Sequence, residues 1–504
     1  MSGFAVVRVA IIATFVVVLE AICQFDLVRK NLLVPPSAMA TQLWALLNQR
    51  DFWTQFGGTA RCIAIAFAGA VVVGFVAGVA LHQFPRARRA IEPLIASWYA
   101  LPFFVLYPLF IVLLGMNEAP IIVVGFLYAF MAMVTGTLSG LDRIPSVFGK
   151  VGRTYRLAKS AEALLIKLPA AAPHVFNGGK LALGYAVTGV IGSEFILSNS
   201  GLGYSIAYAY NDFHDRTMYA LLLFVVLLVS GLTALLNWLE RGVEYRSGSA
   251  QSSIRDGSSS LTERLLAAVI IAAVIIGLWQ ITYLKVGREA LASPWMAFEK
   301  ILSFQSNPEF LSNVTETALA LGFSLLISCF GGLLFGIAIG ASHSATQVLE
   351  PIFVTFYALP KVTLYPVVLL FFGIGLPAKI AFGAMYGLVP MLLITINAIR
   401  NMSPILRRTA RSMRLRPLQL LTTILVPATV PEIVTGIRIS FSITLLGVMI
   451  GEMFASKRGL GFMIMNSIGV NDTATLMALT VMIGIFAVIV NSLLLALDHK
   501  LHRA

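Results

Sequence analysis

Charge is scarce in this chain. Of its 504 residues only 12% are charged, while 58% are hydrophobic; a soluble globular chain is about a quarter charged and about half apolar. That shortage excludes an ordinary water-soluble fold, because one core cannot hide so much apolar surface, and the chain reads as a protein of the bilayer. Cysteine is scarcer still: Cys23, Cys62 and Cys329. An odd number, with no metal-ligand spacing and all in or beside apolar runs, reads as small hydrophobes in packed helices. His174, His214, His343, His499 and His502 make no ligand constellation either, so no metal is assigned. The chain has no G-x-x-x-x-G-K-[ST] string, and so cannot hydrolyse ATP itself. It also lacks H-E-x-x-H, a nucleophile elbow and a selectivity-filter string. These absences disfavour a membrane enzyme or a channel, and no catalytic residue is assigned.

What is abundant is apolar length. About 20 apolar residues span the roughly 30 Å of hydrocarbon in a bilayer, and twelve runs qualify. Six lie near 4–25, 58–82, 91–114, 120–141, 179–198 and 217–238; six more lie near 264–284, 316–341, 350–373, 378–400, 436–455 and 474–497. The first run, with Ala38-Met39-Ala40 beyond it, has the outline of a signal peptide. The matching run at 264–284 argues for a retained span instead. The expected fold is an all-α integral membrane protein.

The net charge of +13 sits mostly in alternate loops, the positive-inside pattern. Arg86, Arg88 and Arg89 follow the second run; Arg143, Lys150, Arg153, Arg156 and Lys159 follow the fourth; Arg241 and Arg246 follow the sixth. Arg400, Arg407, Arg408, Arg411, Arg414 and Arg416 follow the tenth, while the loops at 115–119 and 373–377 carry no Lys or Arg. This places both termini and the middle of the chain in the cytoplasm. Lys285, Arg288 and Lys300 break the pattern in a longer loop.

The chain also writes one phrase twice: "EPLIASWYALPFFVLYPL" from Glu92 and "EPIFVTFYALPKVTLYPV" from Glu350. At the same offset of 258, and without a gap, Pro36 meets Pro294, Gly74 meets Gly332, Gly78 meets Gly336, Thr59 meets Thr317, Glu194 meets Glu452 and Gly203 meets Gly461. The chain is a tandem duplication. Each copy holds an even number of runs, so the two cross the membrane in the same direction, as parallel repeats. Residues 1–245 form the first repeat and 263–504 the second. Between them, 246–262 includes "RSGSAQSSIRDGSSS", a flexible Ser/Gly-rich tether.

Between the fourth and fifth runs of each copy lies a long basic loop: "VGRTYRLAKSAEALLIKLPAAAPHVFNGGK" at 151–180 and "TARSMRLRPLQLLTTILVPATVPEIVTGIR" at 409–438. The prolines are expected to end a short helical element, with the fifth span starting beyond them. A loop of this kind, closing on Leu-Pro or Val-Pro, resembles the coupling loop of ABC importer permeases. "ALPKVTLYPVVLLFFGIG", "GEMFASKRGLGFMI" and "GSEFILSNSGLGYSI" resemble the nitrate/sulfonate/taurine-type, binding-protein-dependent subfamily, and the likeness covers nearly all of both copies.

The resemblance implies a type I ABC importer permease fold on one fused chain, in a bacterial inner membrane. It implies coupling loops at 146–175 and 404–433, with Lys150, Arg153, Arg156, Lys159, Arg408, Arg411, Arg414 and Arg416 at an ATPase contact. The partners implied are ATPase subunits, a homodimer that carries the ATP and Mg, and a periplasmic or lipid-anchored substrate-binding protein, alongside membrane lipid; no nucleic acid and no cofactor on this chain are implied. The substrate implied is a small, anionic solute such as a sulfonate, taurine, nitrate, a carboxylate or a vitamin precursor. One departure stands out. Where the family's loop usually carries Gly, this chain has Arg156 and Arg414; where an acidic residue is usual, it has Lys150 and Arg408. The alternative is an ion-gradient-driven secondary transporter, which also uses six-plus-six repeats but needs no Pro-terminated loop between spans four and five.

The candidate path residues are Tyr99, Pro102, Phe103, Tyr107 and Pro108, with their mates Tyr357, Pro360, Lys361, Tyr365 and Pro366. A helix-interior proline kinks a helix, and the freed carbonyl must face protein or water. Lys361 lies roughly 16 Å into its run, close to the bilayer midplane, where a lysine needs a cavity or a partner. Phe103 stands at the matching position and is expected as an apolar wall across the path. Glu194 with Gly201 and Gly203, and Glu452 with Gly459 and Gly461, form a second set, read as a periplasmic gate in which the carboxylates accept backbone N–H groups.

Overall fold

A computed structural model describes residues 3–25, 28, 32–98, 103–144, 147–148, 150, 154–155, 158–244, 261–288, 291–305, 307–403, 405–406, 408, 412–413 and 417–501. Tyr99, Pro102, Arg153, Arg156, Arg411, Arg414, Arg416 and the tether at 246–260 lie outside the described residues.

Every regular element among the described residues is helical. The first repeat runs α1 (Gly3–Gln24), α2 (Pro36–Leu47), α3 (Arg50–Gln83), α4 (Pro85–Ser97), α5 (Tyr107–Leu114), α6 (Ala119–Asp142), α7 (Leu168–Leu197), α8 (Leu202–Asn211) and α9 (Asp215–Glu244). The second repeats the order as α10 (Leu261–Val286), α11 (Pro294–Phe304), α12 (Pro308–Gly340), α13 (His343–Ala358), α14 (Tyr365–Phe372), α15 (Leu376–Asn401), α16 (Val426–Ala455), α17 (Leu460–Gly469) and α18 (Thr473–Leu501). Helix covers part or all of each of the twelve apolar runs. Among the described residues eight helices are long and apolar enough to cross a membrane, or nine if α13 and its bent continuation form one span.

Each repeat is built on three helices packed side by side, α3, α6 and α7 in the first and α12, α15 and α16 in the second. In lipid there is no hydrophobic gain from bringing two apolar helices together, so close backbone approach at small residues has to supply the packing. Gly74 and Gly78 do this for α3. A Cβ on Gly74 would lie 2.8 Å from Met133 Cβ, and one on Gly78 2.7 Å from Thr137 Cβ. Gly332 and Gly336 meet Met391 and Thr395 in the same way, both at 2.6 Å.

The repeats clasp each other. α1 packs on α13 of the second repeat and α10 packs on α4 of the first, while α9 and α18 make the same exchange. One apolar cluster runs through both copies, from Phe104 and Val190 to Val362 and Ile450. The feet of α4 and α13 are pinned by ion pairs of opposite polarity. Arg88 on α4 grips Asp142 at the end of α6 through two hydrogen bonds of 2.8 and 2.7 Å. Arg400, which occupies the position matching Asp142, reaches Glu350 on α13 at 3.0 Å.

Two proline expectations differ from what is found. In its second copy the repeated phrase does not make a kink. α13 stops at Ala358, Pro360 lies in the gap, a single 3-10 turn (Lys361–Leu364) follows, and the chain has turned by 88°. Pro366 then sits in the first turn of α14, and Pro108 likewise in α5. A proline there sacrifices no helical hydrogen bond, so it restarts a helix rather than bending one. In the basic loops the prolines do not precede the fifth span. α7 begins at Leu168 and α16 at Val426, with Pro169 and Pro427 in their first turns and Pro173 and Pro431 inside them. A five-residue π-helix stands before each, Ala163–Lys167 and Leu421–Leu425, the kind of local adjustment that re-satisfies groups freed by an in-helix proline.

Candidate functional site

The break between α13 and α14 opens onto a cavity of about 390 Å³ between the two repeats. Tyr128 on α6 and Tyr185 and Thr188 on α7 face it from the first repeat; Tyr357, Lys361 and Tyr386 on α15 face it from the second. Leu181, Leu236, Val354, Ile443 and Leu446 supply apolar wall.

Lys361 is 4% exposed. Its Nζ donates to the Tyr357 carbonyl at 3.1 Å, a carbonyl left over where α13 ends. The ammonium lies 4.8 Å from the Tyr357 ring centre and 5.2 Å from that of Tyr386, inside the range where a ring face attracts a cation. No acidic side chain among the described residues lies within ion-pair distance of it. The Tyr357 hydroxyl is 2.9 Å from that of Tyr185, which ties α13 to α7 across the repeat boundary.

The other path candidates distribute differently. Phe103 is buried but does not line the cavity. It packs behind Tyr128, with ring centres 5.5 Å apart, and against Trp98 at 5.0 Å. The expected wall across from Lys361 is therefore not Phe103, whose ring is taken up by its contacts with Tyr128 and Trp98. Tyr107 and Tyr365 are also buried away from the cavity, Tyr365 among Phe195, Phe382 and Phe454.

A second constellation appears twice, at the ends of α7 and α16. Glu194 accepts the Thr59 hydroxyl at 2.9 Å and the Gly203 amide at 3.0 Å. Thr59 in turn accepts the Leu202 amide at 2.9 Å, and Gln55 accepts the Gly201 amide at 2.6 Å. Asn313, Thr317 and Glu452 do the same for Gly459, Leu460 and Gly461. Three amides at the start of each short helix, α8 and α17, have no partner within that helix, and these side chains provide one for each. Gly201 and Gly459 turn the chain at φ of 100° and 120°, a region that only glycine enters readily. Glu194 is 2% exposed and Glu452 is fully buried.

The second repeat adds a group the first lacks. Lys379, fully buried, donates to Glu316 at 3.1 Å and to the Arg458 carbonyl at 2.7 Å, and lies 3.9 Å from Glu452. Ile121, Gly58 and Ser200 stand at the matching positions. Lys150 and Arg408, of the basic loops, are exposed, and Lys159 opens a one-turn helix that leads into α7.

Sequence reasoning missed Tyr128, Tyr185, Tyr386 and Lys379. Two signals were available: the 258-residue offset pairs Tyr128 with Tyr386, both well inside apolar runs, and it sets Lys379 against Ile121.

Residues 70–246 and 332–504 each match the family described as binding-protein-dependent transport system inner membrane component. The chain belongs to this family. It is similar to the taurine transport system permease protein TauC of Escherichia coli, 25% identical over 248 residues, which are 48% of this chain and 90% of TauC. A putative aliphatic sulfonates transport permease protein, SsuC of Bacillus subtilis, is 25% identical over 47% of this chain and 86% of its own length. A nitrate import permease protein, NrtB of Leptolyngbya laminosa, is 25% identical over 46% of this chain and 85% of its own. A nearly whole relative thus corresponds to less than half of this chain. With the family matched twice, the chain is a fused, duplicated ABC importer permease, and the ion-driven reading falls away.

Proposed function

We propose that this chain carries a small anion into the cytoplasm by alternating access between its two repeats. The observation that supports this most is Lys361: a buried ammonium at a broken helix, facing a cavity between the repeats, with no acidic partner among the described residues. A lysine at such a depth is costly unless it serves a path or finds a partner, and a lone carbonyl leaves its charge unbalanced. The names of the relatives agree, since sulfonates and nitrate are anions. In this reading ATPase subunits, a homodimer, engage the basic loops at 146–175 and 404–433 and rock the repeats, and a periplasmic or anchored binding protein delivers the cargo. Both termini and the tether face the cytoplasm, and α8 and α17 with their carboxylate clamps face the periplasm.

The test is uptake into cells or vesicles that hold equal amounts of inserted protein. Lys361→Met is expected to lose uptake of an anionic solute that the native chain takes up, and Lys361→Arg to retain part of it. Equal uptake by Lys361→Met and the native chain sinks the path role.

A further inference from the structure

Tyr128 and Tyr386 are the same position of the two repeats, and both face the cavity that holds Lys361. They are 1% and 3% exposed, and neither hydroxyl has a hydrogen-bond partner among the described residues. An unsatisfied buried hydroxyl costs about 1–3 kcal/mol, so two beside one cavity, from symmetric positions, are donors that a ligand seated there would satisfy. Their rings are also held in place. Tyr128 lies on Gly189 and Tyr386 on Gly447, again matching positions, where an added Cβ would come within 3.0 Å and 2.8 Å of the tyrosine.

The rest of the cavity constrains that ligand. Its volume of about 390 Å³ is in the range of small-molecule sites; a water takes up only about 30 Å³ of liquid, and a triatomic or tetra-atomic ion is of similar scale. Beyond the buried polar end the wall is mostly apolar, with Leu236, Leu359, Ile443 and Leu446 inside and Leu181 and Val354 at a more exposed rim, where Asn177, Lys180, Thr233 and Asn237 also line it. A bare inorganic ion could satisfy the polar end but would leave this chamber unfilled.

We propose that Lys361, Tyr128 and Tyr386 form one recognition site inside the permease for an organic anion, with the charged head on these three donors and an apolar body in the chamber. The buried end of the site is one-sided, because the first repeat has Phe103 where the second has Lys361, and the first repeat's Lys180 lines the cavity only at its more exposed side. The cargo therefore seats in a single orientation, and the permease itself selects, apart from any binding protein. This deepens the anion-import reading and rests on it for the identity of the cavity as a path.

The experiment is equilibrium binding to the purified full chain in nanodiscs, without ATP or ATPase, using an alkanesulfonate series from methanesulfonate to hexanesulfonate, with nitrate as competitor. Binding is expected to tighten about fourfold per methylene, the scale of one buried CH₂. Tyr128→Phe and Tyr386→Phe, which remove only the hydroxyls, are each expected to weaken hexanesulfonate about tenfold, as for one hydrogen bond to a charged group. Nitrate is expected not to compete at equal concentration. Affinity independent of chain length, nitrate competing as well as hexanesulfonate, or Phe variants that bind like the native chain would each overturn the site. If a variant is poorly folded, the chain-length series on the native protein still decides. Because no ATP is present, a chain that binds hexanesulfonate but supports no ATP-driven uptake refutes the import reading and leaves the site standing.

Discussion

The hydroxyl of Thr59 donates to the carboxylate of Glu194 at 2.9 Å, joining the first long helix of the repeat to the end of its fifth span. The same carboxylate holds the amide of Gly203, and Thr317, Glu452 and Gly461 copy the arrangement 258 residues on. A buried carboxylate is stable only when its lone pairs are occupied. Here the occupants are the free amides of a short helix, so each satisfies the other.

Gly203→Ala and Gly461→Ala test how tightly this clamp is packed. A Cβ on Gly203 would collide with the Ile191 carbonyl and lie 2.7 Å from Glu194 Cβ; one on Gly461 would lie 2.7 Å from Glu452 Cβ. Each substitution should destabilise by about 1–3 kcal/mol, the usual scale of overpacking. The readout is a lower melting temperature of the detergent-solubilised chain. Gly231→Ala is the control, since nothing lies within 4 Å of its Cβ direction. Equal melts for Gly203→Ala and Gly231→Ala would show that the clamp yields.

Lys379 should matter more to stability than any surface ion pair. It is buried beside the fully buried Glu452 and reaches the half-buried Glu316, and removing one partner of a buried pair costs about 3–5 kcal/mol because the other charge is left uncompensated. Lys379→Met is expected to lower the melting temperature sharply. Adding Glu452→Gln to it should recover part of the loss, since glutamine keeps an acceptor for Thr317 and Gly461 without the charge. A double variant less stable than Lys379→Met would mean that the Glu452 charge is balanced by something other than Lys379.

What the sequence made legible was whatever the repeat could amplify. The Glu194 clamp was readable because a carboxylate next to Gly-Leu-Gly at the end of an apolar run has few other uses, and the spacing recurs at Glu452. Lys361 stood out because Phe103 faces it in the alignment. The 88° break was not readable. Two prolines in an apolar run announce an interruption, but whether the helix bends or stops and restarts depends on what Pro366 begins, and that is decided by packing. For Tyr128 and Tyr386 the offset showed the pairing but not the role. A tyrosine within an apolar run looks like core until a cavity is seen beside it and its hydroxyl is found without a partner.

The tether makes a prediction independent of any side chain. If 246–262 only joins two repeats that already clasp through α1 on α13 and α10 on α4, then splitting the gene within 246–260 and co-expressing both parts should restore transport. A Ser/Gly-rich segment adds effective concentration but no fixed geometry. Both parts inserted and stable, yet without transport, would assign the tether a role beyond connection.

Arg156 and Arg414 carry the prediction about coupling. They occupy the same place in the two basic loops, where the resemblance to importer permeases leads to an expectation of glycine, so a change shared by both copies points to a shared contact. The competing account is topological: arginines beside a membrane attract anionic lipid at about 1 kcal/mol each and keep the loop on one side. The accounts differ in what glycine does. If the arginines meet an acidic groove on the ATPase, the double replacement Arg156→Gly and Arg414→Gly should weaken co-purification of the cognate ATPase and lower transport, and more salt should weaken the native complex while affecting the variant less. If they are topological, eight other basic residues of the loops at 146–175 and 404–433, among them Lys150, Arg153, Arg408 and Arg411, still hold the orientation, and the variant should assemble and turn over like the native chain. Normal assembly and turnover in the double variant therefore removes these two arginines from the coupling contact.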